Sequence, residues 1–528
     1  MELLKKNIHM DRTGAEAVSQ ITLEEDVNIP DQKPDAEKIV FRKGTVVIDE
    51  VKPGTEQVSV RGRLLYTMLY ETKEEGCGLE RFSGRASFEE KLHMEGITPQ
   101  SQVYVRGLVE DLSISLIHSR KLTLQAVVTL QAFMEEIYDE EVPIGIAGEE
   151  KAEFRKIPLE LARLSVDKRD TLRQKEELSL PSGYPNVFQV LWDEVAFGDM
   201  EFRMEEEKIN IRGEIRVFIL YEGEGESHPL RTYETTVPFE GSLECHGAKE
   251  GMIPQIAWNL SPQEHGQPYV TIKPDQDGEE RILSLDLLLE LSIKLYEEEE
   301  TEAITDLYGV TTEIKTKPRE TQLKQVLARV SGKTRVTDTV KVGGGSGILQ
   351  LLHAQGELEH EEPQLTDNGI LLQGNIFLQV LYITGDDEEP FASAEVRIPY
   401  QYTLEIAGIR ENGEPGKIHG ELEKLQTVML DGEEMDVKAV LVFSTTVFKK
   451  LKVELVGEVE VGEPDMDKRN ALPGIAIYLV KPGDNLWNIG RRFYLPVDTI
   501  RQENHLEKDE LAPGQKILLV KGDENGTE

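Results

Sequence analysis

VSVRGRLLYTMLY, Val58–Tyr70, returns as INIRGEIRVFILY at Ile209–Tyr221 and as ILLQGNIFLQVLY at Ile370–Tyr382. Each copy carries a glycine with a Leu-Tyr pair seven and eight residues later: Gly62, Leu69 and Tyr70; Gly213, Leu220 and Tyr221; Gly374, Leu381 and Tyr382. An aromatic (Phe88, Phe239, Tyr400), a leucine (Leu92, Leu243, Leu404) and a second glycine (Gly96, Gly247, Gly408) follow without a gap. These positions recur at constant intervals of 151 and 161 residues. Fixed spacing over so many positions marks one structural unit present three times.

The copies extend on both sides. VNIP (Val27–Pro30) corresponds to LSLP (Leu178–Pro181) and more loosely to VKVG (Val340–Gly343). Downstream, LTLQAVVTL (Leu122–Leu130), LSLDLLLEL (Leu283–Leu291) and MDVKAVLVF (Met435–Phe443) close each unit with an apolar run. Alternation of apolar and polar residues, as at Val58 and Val60 or Ile209 and Ile211, predicts half-buried strands. Gly- and Pro-containing acidic segments such as KPGTEQ and EHEEPQLTDNG supply the turns between them. Helical periodicity is sparse and falls in the connectors, around Ile157–Leu172 and Thr321–Val330, where LARLS (Leu161–Ser165) echoes LARVS (Leu327–Ser331). The expected fold is mainly β: three repeated antiparallel β-rich domains followed by a small βααβ module. The corresponding divisions are an N-terminal extension over 1–20, repeats over 21–140, 176–300 and 336–460, helix-bearing linkers over 141–175 and 301–335, a linker over 461–475, the module over 476–521 and a tail over 522–528. The repeated glycine and tyrosine read as architecture, glycine at a bulge or close strand approach and tyrosine at the edge of a core.

A chain of 528 residues exceeds what one hydrophobic core organises, and 39% hydrophobic with 30% charged residues is the composition of folded protein. Ninety-nine acidic against fifty-nine basic residues give a net charge of −40, which repels nucleic-acid backbones and anionic lipid. Behind the lysines of MELLKKNIHMDRTGAEAV no apolar run of secretory length follows, and no stretch approaches a membrane span, so a cytoplasmic location is expected. Cys77 and Cys245 fall in different repeats, which argues against a disulfide framework.

The C-terminal segment IYLVKPGDNLWNIGRRFYLPVDTIRQENHLEKDELAPGQKILLV (Ile477–Val520) has a different grammar. A strand over Tyr478–Val480 ends at Pro482-Gly483, and Asp484 or Asn485 offers a side-chain oxygen to a helix start. Leu486, Ile489 and Phe493 form one face of that helix, Pro496 halts it, and Asp498 is placed to cap a second. Pro513-Gly514 then leads into a strand over Lys516–Val520. This order and these spacings resemble a LysM domain, through Tyr478, Val480, Gly483, Asp484, Leu486, Ile489, Phe493, Ile500, Asn504, Leu506, Pro513, Gly514, Gln515 and Ile517. Asn485 departs from the usual Ser or Thr. Gly490 departs from the usual small helix former, at a cost of about 1 kcal/mol to the helix. The resemblance implies a groove for N-acetylated sugar or another ligand between Gly483, Asp484, Asn485 and Leu486 on one side and Asn504, His505, Leu506 and Leu511 on the other. Six basic residues of the module (Lys481, Arg491, Arg492, Arg501, Lys508, Lys516) balance six acidic ones (Asp484, Asp498, Glu503, Glu507, Asp509, Glu510), so the negative charge lies in the repeats.

No catalytic constellation stands out. His353 and His360 have no cysteine or carboxylate at metal-ligand spacing, so no metal is expected. GGGSG (Gly343–Gly347) lacks the Lys-Ser/Thr of a phosphate loop and reads as a turn. The runs Glu205–Glu207 and Glu297–Glu300 read as solvated surface. Three β-rich repeats joined to one LysM resemble the SPOCS-domain proteins of spore-forming Firmicutes. That resemblance implies a non-enzymatic scaffold without cofactor, working in the mother cell at the forespore surface. Its LysM would dock on a coat morphogenetic ATPase, stage IV sporulation protein A, with peptidoglycan as the alternative ligand.

Overall fold

The computed structural model describes residues 2–73, 77–148, 152–226, 228–342, 347–410, 413–462 and 473–521. Repeat 1 comprises β1 (Glu2–Asn28), β2 (Lys38–Pro53), β3 (Gln57–Glu71), β4 (Leu79–His93), β5 (Gln102–His118) and β6 (Lys121–Ala147). Repeat 2 comprises β7 (Ala152–Ser179), β8 (Val187–Glu205), β9 (Lys208–Gly223), β10 (Leu230–Glu244), β11 (Ile253–Leu260), β12 (Val270–Pro274) and β13 (Glu280–Gly309). Repeat 3 comprises β14 (Glu313–Lys341), β15 (Ile348–His360), β16 (Gln364–Leu365), β17 (Gly369–Thr384), β18 (Phe391–Glu405), β19 (Gly413–Pro415), β20 (His419–Met429) and β21 (Glu434–Gly462). In each repeat the second, third and fourth long strands form one antiparallel sheet, β2-β3-β4, β8-β9-β10 or β15-β17-β18. The first and last long strands pair in another, as β1-β6, β7-β13 and β14-β21.

The two sheets face each other across a core supplied by their central strands. Leu64, Met68 and Tyr70 of β3 meet Leu122, Leu124 and Ala126 of β6. Ile215, Val217, Ile219 and Tyr221 meet Leu283, Leu285 and Leu287, and Ile376, Leu378, Val380 and Tyr382 meet Met435, Val437 and Ala439. A buried side chain of this size contributes about 1.5–3 kcal/mol relative to exposure, so each sandwich is self-sufficient in apolar contact. The repeated Leu-Tyr pair now has a reason. Neighbouring residues on a strand face opposite ways: the tyrosine enters its own sandwich, while Leu69, Leu220 and Leu381 join one cluster shared by all three repeats, with Val40, Phe41, Leu191, Trp192, Leu352 and Phe391. The Tyr70 and Tyr221 hydroxyls donate to the carbonyls of Pro34 and Pro185, at 3.1 and 3.2 Å.

The three sandwiches close into a ring around that shared cluster. Arg81 of repeat 1 pairs with Asp193 of repeat 2 at 2.6 Å, Arg216 of repeat 2 with Glu421 of repeat 3 at 3.1 Å, and Arg42 of repeat 1 with Glu395 of repeat 3 at 2.9 Å. One structurally equivalent position holds Lys43, Glu194 or Gln355. Glu194 lies 3.0 Å from His353, and Lys43 lies 3.6 Å from Glu357. Burial alone would raise the Glu194 carboxyl, but Lys43 and then His353 hold it at about 2.

The first and last strands of each repeat run on beyond the sandwich as a two-stranded ribbon, Glu2 facing Ala147, Ala152 facing Gly309 and Glu313 facing Gly462. The ribbons merge in a second shared cluster of Ile8, Met10, Val142, Leu159, Leu161, Ala303, Leu323 and Leu455. Beside it Asp11 accepts from Lys294 and from the Tyr296 hydroxyl, both at 2.9 Å, with Lys324 at 3.6 Å. Burial works against the Asp11 charge, yet the two lysines hold its carboxyl below the ordinary value.

Several expectations change here. The connectors at Ile157–Leu172 and Thr321–Val330 are strands, within β7 and β14. A switch of the buried face at the register shift beside Leu327 produces helix-like spacing: Leu323 enters the ribbon cluster, Val326 packs against another and Leu327 and Val330 against the third sandwich, at positions i, i+3, i+4 and i+7. Residues 2–20 are no extension but half of the first ribbon. Of the Glu297–Glu300 run, Glu297 and Glu299 are only partly exposed and pair with Arg163. Gly343–Ser346 of the glycine-rich segment lie outside the described residues.

The repeated glycines sit opposite the repeated aromatics: Gly62 faces Phe88, Gly213 faces Phe239 and Gly374 faces Tyr400. A Cβ on Gly62 would lie 2.6 Å from the Val47 carbonyl oxygen and 2.5 Å from the Phe88 ring. Gly96 instead has φ +79° with open space around it. Gly62→Ala should therefore lower stability by about 2–3 kcal/mol through overpacking, and Gly96→Ala by about 1–2 kcal/mol through backbone strain, read as separate shifts of the urea midpoint. Because Glu194 is held below its unfolded value, its contribution is present above about pH 4.5 and fades as pH falls towards 2. Urea titrations of wild type and Glu194→Gln should differ most at pH 6–7 and converge on acidification.

Candidate functional site

The C-terminal module pairs β22 (Ile475–Leu479) with β23 (Lys516–Val520) and packs two helices, Leu486–Phe493 and Val497–Glu503, against that hairpin. Its core is Val480, Leu486, Ile489, Leu495, Ile500, Ile517 and Leu519.

On the first lip, Gly483 turns the chain with φ +89°. Asp484 accepts from the Lys481 amide at 2.8 Å and the Tyr478 hydroxyl at 2.7 Å, and these bonds hold its carboxyl below the usual range. Asn485, rather than Asp484, caps the first helix, its Oδ1 accepting from the Asn488 amide at 2.8 Å. Leu486, at 2% exposure, belongs to the core. On the opposite lip Asn504 is a brace: its amide donates to the Ile500 and Leu518 carbonyls at 2.8 and 2.7 Å, and its Oδ1 accepts from the Leu518 amide at 2.6 Å. His505 takes a left-handed conformation, φ +52°, and is exposed. Leu506 and Leu511 are half-buried and pack on the same cluster as Leu486. The structure thus gathers Leu486, Leu506 and Leu511 at one apolar patch. It assigns Asp484, Asn485 and Asn504 to shaping the loops, and leaves Gly483 and His505 exposed.

Asp498 does not cap the second helix. That helix starts after Pro496, whose side chain makes no cap bond, while Asp498 sits in the first turn beside Arg501. The Val497 amide instead donates to Glu153 of repeat 2, whose carboxyl burial nevertheless raises.

A second surface escaped the sequence reading. The first helix lies on the end of the repeat 2 ribbon: Trp487 Nε1 donates to Asp306 Oδ2 at 2.8 Å, and Arg491 grips both Asp306 oxygens at 3.0 Å and the Leu307 carbonyl at 3.2 Å. Arg155 stacks on the Trp487 ring at 5.3 Å, and the Tyr308 hydroxyl donates to the Leu495 carbonyl at 2.7 Å. Asp306 follows a register shift in β13, which aims it out of the ribbon. Gly490 is the position that admits Tyr308, because a Cβ there would collide with the Tyr308 hydroxyl. The departure from LysM grammar at Gly490 was the signal for this contact.

The SipL, SPOCS domain family matches residues 35–117, 186–262 and 347–430, and the LysM domain matches residues 478–520. The chain therefore carries three SPOCS domains and a C-terminal LysM domain. Each SPOCS match runs from just before β2, β8 or β15 and ends before β6, β13 or β21, so it leaves out the long first and last strands of each repeat. A stretch of 43 residues is 46% identical to the putative sporulation-specific glycosylase YdhD of Bacillus subtilis (strain 168), covering 8% of this chain and 10% of that protein. The chain thus spans about a tenth of the length of that curated relative. No solved structure matches the chain.

Asp306→Ala removes the acceptor shared by Trp487 and Arg491. Hydrogen exchange should then speed up at least tenfold in Leu486–Phe493 and around Asp306–Tyr308, while the amides of β23 keep their protection.

Proposed function

We propose that this chain of three SipL SPOCS domains and one LysM domain is a non-enzymatic adaptor of endospore envelope assembly, whose LysM groove docks on the coat morphogenetic ATPase, stage IV sporulation protein A. Both domain types are binding modules, and the curated relative is named as sporulation-specific. The observation that carries the reading is the division of labour within the LysM domain. Its first helix is committed to repeat 2 through Trp487, Gly490 and Arg491. Among the described residues, no hydrogen bond or ion pair joins the eight groove residues to the repeats. A module held by one face and free at its groove suits a body that positions a binding surface. The acidic repeats keep such a body in solution and away from anionic lipid until the neutral module engages. The place of action in this reading is the mother-cell cytoplasm, at the forespore surface.

A second reading, peptidoglycan or its N-acetylglucosamine units in the same groove, is favoured by the LysM fold itself and by the relative's name as a glycosylase. Full-length chain, immobilised and titrated separately with the purified ATPase and with peptidoglycan fragments, separates the two. Saturable ATPase binding, weakened at least tenfold (about 1.4 kcal/mol) by Leu506→Ser and unchanged by Lys73→Ala, is the expected result. Saturable glycan binding with no retention of the ATPase overturns the adaptor reading.

A further inference from the structure

The three sandwiches meet a second time away from the shared apolar cluster, and there the side chains are cationic and aromatic. Repeat 1 contributes Tyr104, Arg106 and Phe133, repeat 2 contributes Arg169 and Trp258, and repeat 3 contributes His360, Lys417 and His419. Contacts across the repeats tie them together: Arg169 stacks on Tyr104 at 3.7 Å, Lys417 lies over Phe133 at 5.9 Å and His419 lies against Trp258 at 3.8 Å. Tyr104 and Phe133 touch at 5.8 Å, which joins the Arg169 contact to the Lys417 contact.

We propose that this junction is a binding site for the phosphate group of a small anionic ligand, held by Arg106, Arg169 and Lys417. The chain has 99 acidic residues for 59 basic ones, yet no carboxylate forms an ion pair with any of these three cations among the described residues. Some exposed lysines elsewhere do pair with a carboxylate, as Lys5 does with Glu141. The nearby acids are otherwise engaged or few: Glu135 lies 3.2 Å from Lys294, and Asp167 shares a strand face with Arg169. His360 bonds to the Tyr400 hydroxyl at 2.7 Å, while His419 Nε2 is buried without a partner.

The electrostatics agree with an unfilled demand for negative charge. Burial and then the Arg106 guanidinium push the Lys417 ammonium down, and burial with Lys417 and His360 pushes His419 down to about 4. Arg106, Lys417 and His360 are at the same time exposed. A single carboxylate satisfies one such cation, whereas a phosphate carries two charges and several acceptor oxygens that Arg forks and a lysine can share.

Intact protein titrated with inorganic phosphate, pyrophosphate and ATP, each against sodium chloride of equal ionic strength, tests the site by thermal shift and calorimetry. The expected result is saturable binding that raises Tm, weakened at least tenfold in Arg106→Gln and abolished in Lys417→Gln. Binding of all three anions assigns recognition to the phosphate group alone, and binding of ATP alone assigns it to a nucleotide. Both variants should fold and be at least as stable as wild type in chloride, because each removes a desolvated, repelled charge. In Lys417→Gln the His419 resonances should titrate at higher pH than in wild type, and phosphate should move wild type the same way. No stabilisation beyond that of chloride, or equal stabilisation of the double variant, overturns the proposal.

Discussion

Closure around one shared apolar axis is the constraint on which everything else depends. A three-stranded sheet whose outer face carries Leu69, Leu220 or Leu381 leaves that leucine in water unless two other copies cover it. Each sandwich can bury its own interior, but only the assembled ring buries the backs of β3, β9 and β17. The ribbons impose the same condition again, since Ile8, Leu161, Leu323 and Leu455 reach one cluster from three repeats. The chain therefore behaves as an intramolecular trimer whose subunits are joined by short connections.

A trimer made from one chain need not be symmetric, and this one uses its freedom. Equivalent positions hold Phe41, Trp192 and His353, and two residues on Lys43, Glu194 and Gln355. Lys43, Glu194 and His353 form a chain across the repeats that three identical copies could not make, because three carboxylates or three ammonium groups would repel at that position. The edge contacts Arg81–Asp193, Arg216–Glu421 and Arg42–Glu395 differ in the same way. Apolar residues drive closure, and charges specify which edge meets which.

Much of this was legible in the sequence, and what was not has a common cause. The repeat, its strands and the βααβ module followed from spacing and alternation, because those patterns record local geometry. The glycine opposite an aromatic was legible as a close approach, although its partner was not. The ribbons were misread because in β7 and β14 the buried face switches partway along the strand, from Leu161 to Ala162 and from Leu323 to Val326, which interrupts the period of two. Of the groove positions, Asn504 braces the second helix against β23 and Leu486 fills the core, the architectural roles that their place in the LysM pattern also allows. The contact of Trp487 and Arg491 with Asp306 joins residues more than 180 apart, a distance over which no local pattern carries information.

That contact ties the LysM domain to the middle of the chain. Asp306 projects correctly only after β13 has paired with β7, and β13 in turn is locked by the ribbons on either side. The LysM domain therefore takes its orientation from the end of the repeat 2 ribbon. The orientation of the module is thus a property of a β pairing far away in the sequence, between β7 and β13, and not of the module's own residues alone.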